Sequence, residues 1–435
     1  MKTSSIKTFS LGIQHVLAMY AGAIIVPLIV GSSLGLNPAQ LTYLVSIDIF
    51  MCGIATLLQV WRNKFFGIGL PVVLGCTFTA VGPMIAIGAE YGITTIYGSI
   101  IASGLFVILV AGIFGRLVRF FPPVVTGSVV TIIGITLIPV AMNNMAGGQG
   151  SEDFGSVPNL ILAFGVLTFI ILLNRFTKGF IRAISILIGI VAGTLTAAAM
   201  GKVNMQAVNE ASWFQIGQPF YFGIPTFELT PILTMILVAI VSMVESTGVY
   251  LALGDITKRD LEKEDLAKGY RAEGIAYLLG GIFNAFPYTA FSQNVGLVQL
   301  SGIKKNNVIF TAGGILVVLG IVPKIAAFTT VIPEPVLGGA MVAMFGMVMA
   351  YGIKMLSQVD FNSQGNLLII ACSVGIGLGV TAVPDVFVNL PESVKILTNS
   401  GIVIGSLTAI ILNIVFYIIP SRKSQTIPVL KEKHS

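Results

Sequence analysis

The chain has little charge: only 10% of its 435 residues are Asp, Glu, Lys or Arg, whereas 55% are apolar. An ordinary soluble domain is roughly 25% charged, and no water-soluble fold of this size could bury so much apolar surface. Apolar stretches of about 20 residues, the length a helix needs to cross a hydrocarbon core of about 30 Å, recur between residues 9 and 420. The composition therefore predicts an integral membrane protein that crosses the bilayer many times.

Other absences exclude further classes. The three cysteines, Cys52, Cys76 and Cys372, lie in apolar stretches without the spacing of a metal site or a disulfide framework, so we expect packing roles. The sequence contains no G-x-x-x-x-G-K loop and no H-E-x-x-H motif, which argues against ATP-driven transport and a metalloprotease. It also lacks a TVGYG-like filter and the periodic basic residues of a voltage sensor. The first apolar run lengthens into a full span without a cleavage site, so we expect it to be retained.

Hydropathy and chain breakers predict 14 spans, whose approximate starts are residues 10, 41, 69, 94, 122, 158, 182, 231, 268, 289, 306, 334, 366 and 400. An even number of spans places both termini on the same side of the membrane. With the N-terminus in the cytoplasm, 21 of the 24 basic residues lie in cytoplasmic segments, and Lys202, Lys324 and Lys395 do not. This asymmetry supports the count and predicts that both termini are cytoplasmic.

Two apolar segments, residues 67–83 and 280–296, are interrupted by Gly and Pro and correspond under a shift of 212 residues. The same shift overlays residues 123–127 (PVVTG) on 335–339 (PVLGG). A repeat of seven spans must insert its second copy upside down, and paired interruptions in inverted repeats mark the midplane site of secondary transporters. The alternative is two kinked helices with a packing role, since Gly and Pro are common in membrane helices.

Ionisable residues inside the apolar runs are few: Glu245 in the eighth span, Asp48 in the second, Glu273 in the ninth and His15 in the first. Each is expensive in a bilayer, at least about 2.5 kcal/mol for an acid at a helix centre. Glu245 is the strongest candidate, because it lies mid-span without a basic neighbour and could be protonated or could bind a substrate N–H. The alternative for Glu245 is a hydrogen bond to neighbouring helices. His15 and Asp48 could equally be polar tethers.

Gln293 and Asn294 follow the interruption of the second broken segment. Their amides offer donors and acceptors that suit a planar heterocycle with alternating N–H and C=O groups. Helix capping or interhelical bonding is the alternative, and the position at the break favours binding.

At these residues the sequence resembles the nucleobase-ascorbate transporter family over essentially its whole length. The family signature, an acid or amide, then Asn, one residue, Gly, four residues and Thr, matches QNVGLVQLSG at residues 293–302, with Ser301 in place of Thr. The QH pair of the first span is present as Gln14 and His15, the acid of the eighth span is Glu245, and the acid 20 residues before the signature is Glu273.

The resemblance implies an all-helical membrane protein with 14 spans in two inverted repeats and short antiparallel strands in broken spans 3 and 10. It divides the single domain, residues 1–435, into a core (about 10–115 and 231–321) and a gate (about 120–200 and 333–420). It implies that Glu245 and Gln293 hold a base by bidentate hydrogen bonds, that Phe78 stacks on the ring, and that backbone amides near Phe78 and Ser292 complete the site. Asn294 is expected to bind substrate. A role in cation coupling or in supporting the site is expected for Glu273, His15, Asp48 and Thr77.

By the same resemblance, QNxG rather than ENxG favours xanthine or urate over uracil, and overall similarity favours xanthine. The expected activity is uptake across a bacterial plasma membrane by symport with H+, or with Na+, without another cofactor, an enzymatic activity or nucleic acid. A homodimer through the gate is expected. The alternatives are a permease for urate or another purine, an inorganic-anion exchanger or channel of the same fold, and a membrane enzyme or scaffold.

Overall fold

The structure, a computed structural model, describes residues 5–117, 120–302, 304–391, 398 and 400–419, without the side chains of residues 5, 115–117, 300 and 301. Lys395, the end of the last predicted span and the side chain of Ser301 therefore lie outside the described part. The helices of that part are α1 (Ser5–Ser33), α2 (Pro38–Val60), α3 (Val81–Tyr91), α4 (Ile93–Leu117), α5 (Pro123–Met145), α6 (Val157–Phe176), α7 (Gly179–Ala183), α8 (Ser185–Ala199), α9 (Gln206–Glu210), α10 (Leu229–Thr257), α11 (Lys263–Phe283), α12 (Ser292–Ser301), α13 (Asn306–Gly320), α14 (Pro323–Thr330), α15 (Glu334–Leu356), α16 (Gln364–Ala382) and α17 (Gly401–Asn413).

Nine of the described helices are long and apolar enough to cross a bilayer, or ten if α13 and α14, which meet at a bend of 78°, form one span. Four further predicted spans coincide with elements that are short, interrupted or charged: the strand and α3 at residues 74–91, then α8, α11, and the strand and α12 at residues 288–301. Each of the 14 predicted spans thus begins within about five residues of an element of the described structure.

The two interrupted segments meet as a pair of short strands, β1 (Leu74–Cys76) and β2 (Tyr288–Ala290). They pair antiparallel, with Gly75 opposite Thr289. Backbone bonds extend the pairing beyond the strands, from Phe291 N to Val73 O at 2.9 Å and from Thr77 N to Pro287 O at 3.0 Å. Inside a membrane every backbone group needs a partner, and this pairing supplies the partners that the broken helices lack.

Glycines bring the long helices together. α5 packs along α15, α2 along α13 and α4 along α11. A side chain at Gly134 would collide with the backbone of Met349 across the α5–α15 contact, and one at Gly104 would lie 2.9 Å from Gly274 O across the α4–α11 contact. Small residues allow such close approach where burial of apolar surface from water provides no driving force between helices.

Candidate functional site

A cavity of about 270 Å³ lies beside the paired strands. One wall is built from the 3₁₀ turn Phe78–Ala80, the start of α12 and the middle of α10, and the other from α5 and α15. Its lining consists of Phe78, Phe121, Thr126, Val129, Val130, Val241, Val244, Glu245, Gly248, Val249, Ser292, Gln293, Met344, Met347, Val348, Tyr351 and Met355. The cavity is therefore mainly apolar, with a few polar side chains, as is usual for small-molecule sites.

Glu245 opens into this cavity from α10 and makes no hydrogen bond to any described residue. The next residue, Ser246, is fully buried and fastens the helix to β2. Its hydroxyl accepts a bond from Ala290 N at 3.1 Å and lies 3.0 Å from Thr289 Oγ1. The strand pair therefore holds the helix in the rotation that presents the Glu245 carboxylate to the cavity.

Gln293 and Ser292 enter the cavity from the first turn of α12, which begins directly after β2. The side chain of Gln293 is exposed to the cavity, and Phe78 faces it from the other break. Because the peptide dipoles place positive charge at helix starts, the beginning of α12 favours a ligand with negative character. The structure thus brings together four of the five predicted ligands: Glu245, Gln293, Ser292 and Phe78.

Asn294, the fifth predicted ligand, does not line the cavity. It is buried, and its amide nitrogen lies 3.1 Å from both the Nδ1 atom and the backbone oxygen of His15. Asn294 and His15 therefore tie α12 to α1. This contact orients the neighbouring Gln293, so the structure supports a positioning role for both residues.

Glu273 is buried on α11 behind the cavity wall. The hydroxyl of Tyr250 donates to Oε1 of Glu273, and the Gln59 amide donates to the same hydroxyl. Oε2 of Glu273 has no partner among the described residues. Tyr250 and Gln59 were not predicted, and their only sequence signal was a polar group inside an apolar run.

Asp48 and Thr77 support the strands from behind. Oδ1 of Asp48 accepts bonds from Phe286 N and Tyr288 Oη, both at 3.2 Å, and its Oδ2 accepts from the thiol of Cys76. The Ser242 hydroxyl donates to Thr77 Oγ1 at 3.3 Å, which links α10 to the first break. Both residues therefore belong to the scaffold of the site.

The side chains of Asp48, Cys52 and Cys76 approach one another within 4.8 Å, a proximity that their sequence spacing did not indicate. All three are fully buried. Because Asp48 already accepts several hydrogen bonds, we interpret the group as part of the strand support, in line with the packing roles expected for these cysteines.

None of the predicted site residues lies on the facing wall of the cavity. α15 contributes Met344, Met347, Tyr351 and Met355. Phe345 on the same helix is fully buried and packs edge to face on Phe78, with ring centroids 5.6 Å apart. Apolar residues cover every side of this helix, so the sequence carries no signal that separates a cavity face from a lipid face.

The fold is similar to the transmembrane domain of the cyanobacterium bicarbonate transporter BicA. The TM-score is 0.64 at 17% sequence identity, and the match covers 86% of this chain and 96% of that one. This likeness concerns the fold, and it confirms the predicted mostly helical membrane architecture with core and gate domains. The strand pair β1 and β2 confirms the strands predicted in spans 3 and 10.

A family model described as "Permease family" matches residues 6–386, and the chain belongs to this family. It is 72% identical over 417 residues to a xanthine permease of Bacillus subtilis (strain 168), covering 96% of this chain and 95% of the relative. It is 68% identical over 413 residues to the uric acid permease PucK of the same strain, covering 95% and 96%. The predictions of a multi-pass membrane permease and of a transporter rather than an enzyme are therefore confirmed.

Proposed function

We propose that this protein takes up xanthine across the bacterial plasma membrane by symport with H+. The observation that carries the proposal is the convergence of two polar groups on one small cavity beside the ring of Phe78. They are the carboxylate of Glu245, which has no partner among the described residues, and the carboxamide of Gln293. The carboxylate accepts hydrogen bonds from ring N–H groups. The carboxamide accepts a bond from an adjacent N–H group through its oxygen and donates one to a C=O group through its nitrogen. Phe78 offers an aromatic face for offset stacking.

Urate is the second candidate, because a uric acid permease is nearly as similar to the chain as a xanthine permease. Urate differs by an additional oxo group at carbon 8. Thr126 and Tyr351 are the remaining lining side chains that can donate a hydrogen bond to that oxygen, whereas the valines and methionines, which make up most of the rest, cannot. Leaving a buried polar group unsatisfied costs about 1–3 kcal/mol, so xanthine is favoured wherever carbon 8 faces the valines and methionines.

Inorganic anions are disfavoured although a bicarbonate transporter shares the fold. Glu245 has no basic partner among the described residues, so in its charged form it repels an anion. A heterocycle with N–H donors uses the same carboxylate as an acceptor. The acid therefore separates purines from anions on electrostatic grounds.

The cavity reaches from Phe78 to Phe121, just before α5, and to Met355, near the end of α15. With both termini in the cytoplasm, these helix ends are cytoplasmic, so the cavity faces inward. The proposed core comprises about residues 10–115 and 231–321, and the proposed gate about 120–200 and 333–420. Transport then requires the gate helices α5 and α15 to move relative to the core wall, a change that ligands drive by binding the two states unequally.

Glu273 is proposed as the coupling residue. It is buried, one of its oxygens lacks a partner among the described residues, and it is separated from the cavity by the wall that carries Glu245. Two charged carboxylates in a low-dielectric region repel each other, and a proton taken up with the substrate removes one charge. Na+ coupling is the alternative.

A homodimer through the gate is part of the proposal. α6 and α16 carry exposed apolar side chains, among them Ile161, Phe164 and Leu368. These faces suit either lipid or a second copy.

Uptake of labelled xanthine into proteoliposomes tests the proposal, with urate, uracil and sulfate as competitors and with pH and Na+ gradients varied separately. We expect saturable uptake driven by an inward H+ gradient, strong competition by oxidised purines and none by sulfate. Uptake that follows only the Na+ gradient would replace H+ by Na+. Absence of xanthine uptake with efficient urate uptake would reassign the substrate.

A further inference from the structure

A second cavity, of about 450 Å³, lies at the other end of the α5–α15 pair. It is bounded by the end of α1, the end of α5 and the beginning of α15, with Ser33, Asn143 and Glu334 among its lining residues. In the proposed orientation these helix ends face the outside. The central cavity and this outer cavity therefore occupy opposite ends of the same boundary between α5 and α15 and the rest of the protein.

Glu334 is the acid of the outer cavity, and the loop that follows α5 lies close to its carboxylate. Gly148 in this loop has φ +92, and a side chain there would collide with the Glu334 carboxylate. The loop is itself held in place: Gly148 N donates to Asn143 O at 3.0 Å, and the buried amide of Asn159 donates to Ala146 O at 3.2 Å. The part of the loop that borders the carboxylate is thus held in place.

Carboxamides accompany this acid. Asn143 and Gln149 line the cavity, and Glu334 forms no ion pair with any described residue. A carboxylate with a neighbouring carboxamide is the same pair of groups that Glu245 and Gln293 present in the central cavity. Both pairs offer an acceptor for ring N–H groups and a donor for an oxo group.

The two cavities share α15 as a wall. Met341 lines the outer one and Met344 the central one. Three residues of a helix span about 4.5 Å. The barrier at this level includes Phe345, which is fully buried and packs on Phe78. Along α15 the two linings are thus less than one helical turn apart, with the contact between Phe345 and Phe78 at this level.

We propose that the outer cavity is a separate loading site for oxidised purine bases. Glu334 accepts a ring N–H, and Asn143 donates to an oxo group, before the base passes the contact between Phe78 and Phe345. This inference rests on the proposed function and adds a second site to it. Because the site is reached from the outside, its loss affects the KM measured from the outside more than the KM measured from the cytoplasm.

The test is Glu334→Gln, which keeps the size of the side chain but replaces an acceptor with a donor, assayed in right-side-out and inverted vesicles. We expect the KM for external xanthine to rise about tenfold, the scale of one lost hydrogen bond to a charged group. The KM from the cytoplasmic side is expected to stay unchanged, while the maximal rates change so that Vmax/KM remains equal in the two directions at equal pH, as detailed balance requires. Asn143→Ala is expected to cause a smaller change with the same sidedness.

Glu152→Gln is the matched control, since Glu152 is an exposed acid of the same loop that does not line the cavity. It is expected to leave both KM values unchanged. Equal KM changes on both sides for Glu334→Gln and Asn143→Ala, or an external KM within twofold of the unaltered protein for both, would overturn the loading site. If the unaltered protein carries xanthine from neither side, the proposed function fails and the loading site falls with it.

Discussion

Replacement of Glu245 by Gln is expected to weaken xanthine binding without affecting the fold. The carboxylate bonds to no described residue, so the change removes no tertiary contact of that group. A hydrogen bond to a charged group contributes about 1.5–3 kcal/mol, and each 1.4 kcal/mol is about a factor of ten in Kd. In addition, the carboxamide of the introduced Gln can point its own N–H toward the N–H of the ring, and two donors cannot form a hydrogen bond. We therefore expect Kd to rise about 10- to 100-fold, while the thermal unfolding midpoint stays unchanged.

The assay is equilibrium binding of labelled xanthine to purified protein, with the unfolding midpoint recorded on the same samples. Glu228→Gln is the matched control, because Glu228 precedes the same helix, is exposed and does not line the cavity. It is expected to bind xanthine like the unaltered protein. A Kd for Glu245→Gln within twofold of the unaltered value, in a folded protein, would refute the assignment of Glu245 as a substrate ligand.

Three other changes test the surroundings of the site. Glu273→Gln is expected to abolish accumulation driven by a pH gradient while xanthine exchange persists, as measured by counterflow; undiminished pH-driven accumulation would remove Glu273 from the coupling step. Asn294→Ala breaks the contact with His15 and is expected to cost about 1–3 kcal/mol of stability, seen as a lower unfolding midpoint; an unchanged midpoint would contradict the tether. In Gly75→Ala the new methyl group would collide with the ring of Phe291, so we expect a lower unfolding midpoint. Adding Phe291→Ala to this variant is expected to restore the midpoint in part. An unfolding midpoint of Gly75→Ala equal to that of the unaltered protein would show that the contact is not tight.

The elements of the fold were largely predictable because a bilayer imposes a simple rule on the sequence. Long apolar stretches form helices, and interruptions persist only where backbone partners exist. This rule identified residues 67–83 and 280–296, which the structure pairs as β1 and β2. Glu245 was also easy to identify in the sequence, because an ionisable side chain inside an apolar helix costs free energy in a bilayer and usually has a function.

The rotation of each helix was much harder to predict. Asn294 and Gln293 are neighbours in the sequence, yet one contacts His15 and the other opens into the cavity. Hydropathy distinguishes membrane from water but not cavity from lipid, so the methionines of α15, such as Met344, gave no signal. Tyr250 was missed for a different reason: its role depends on a hydrogen bond to Glu273, which lies on another helix.

The distribution of polar contacts around the cavity bears on how such a site can move. The bonds of Ser246, Asn294 and Thr77 join α10, α12 and the strand region to their neighbours, so the residues that present Glu245 and Gln293 form one fastened unit. The facing wall meets this unit through apolar side chains and the edge of an aromatic ring. Apolar contacts are non-directional, so one packed arrangement can replace another without leaving a buried donor or acceptor without a hydrogen bond. The polar contacts therefore fix the side that is proposed to bind the base, and the apolar contacts leave α5 and α15 free to move as the proposed alternating access requires.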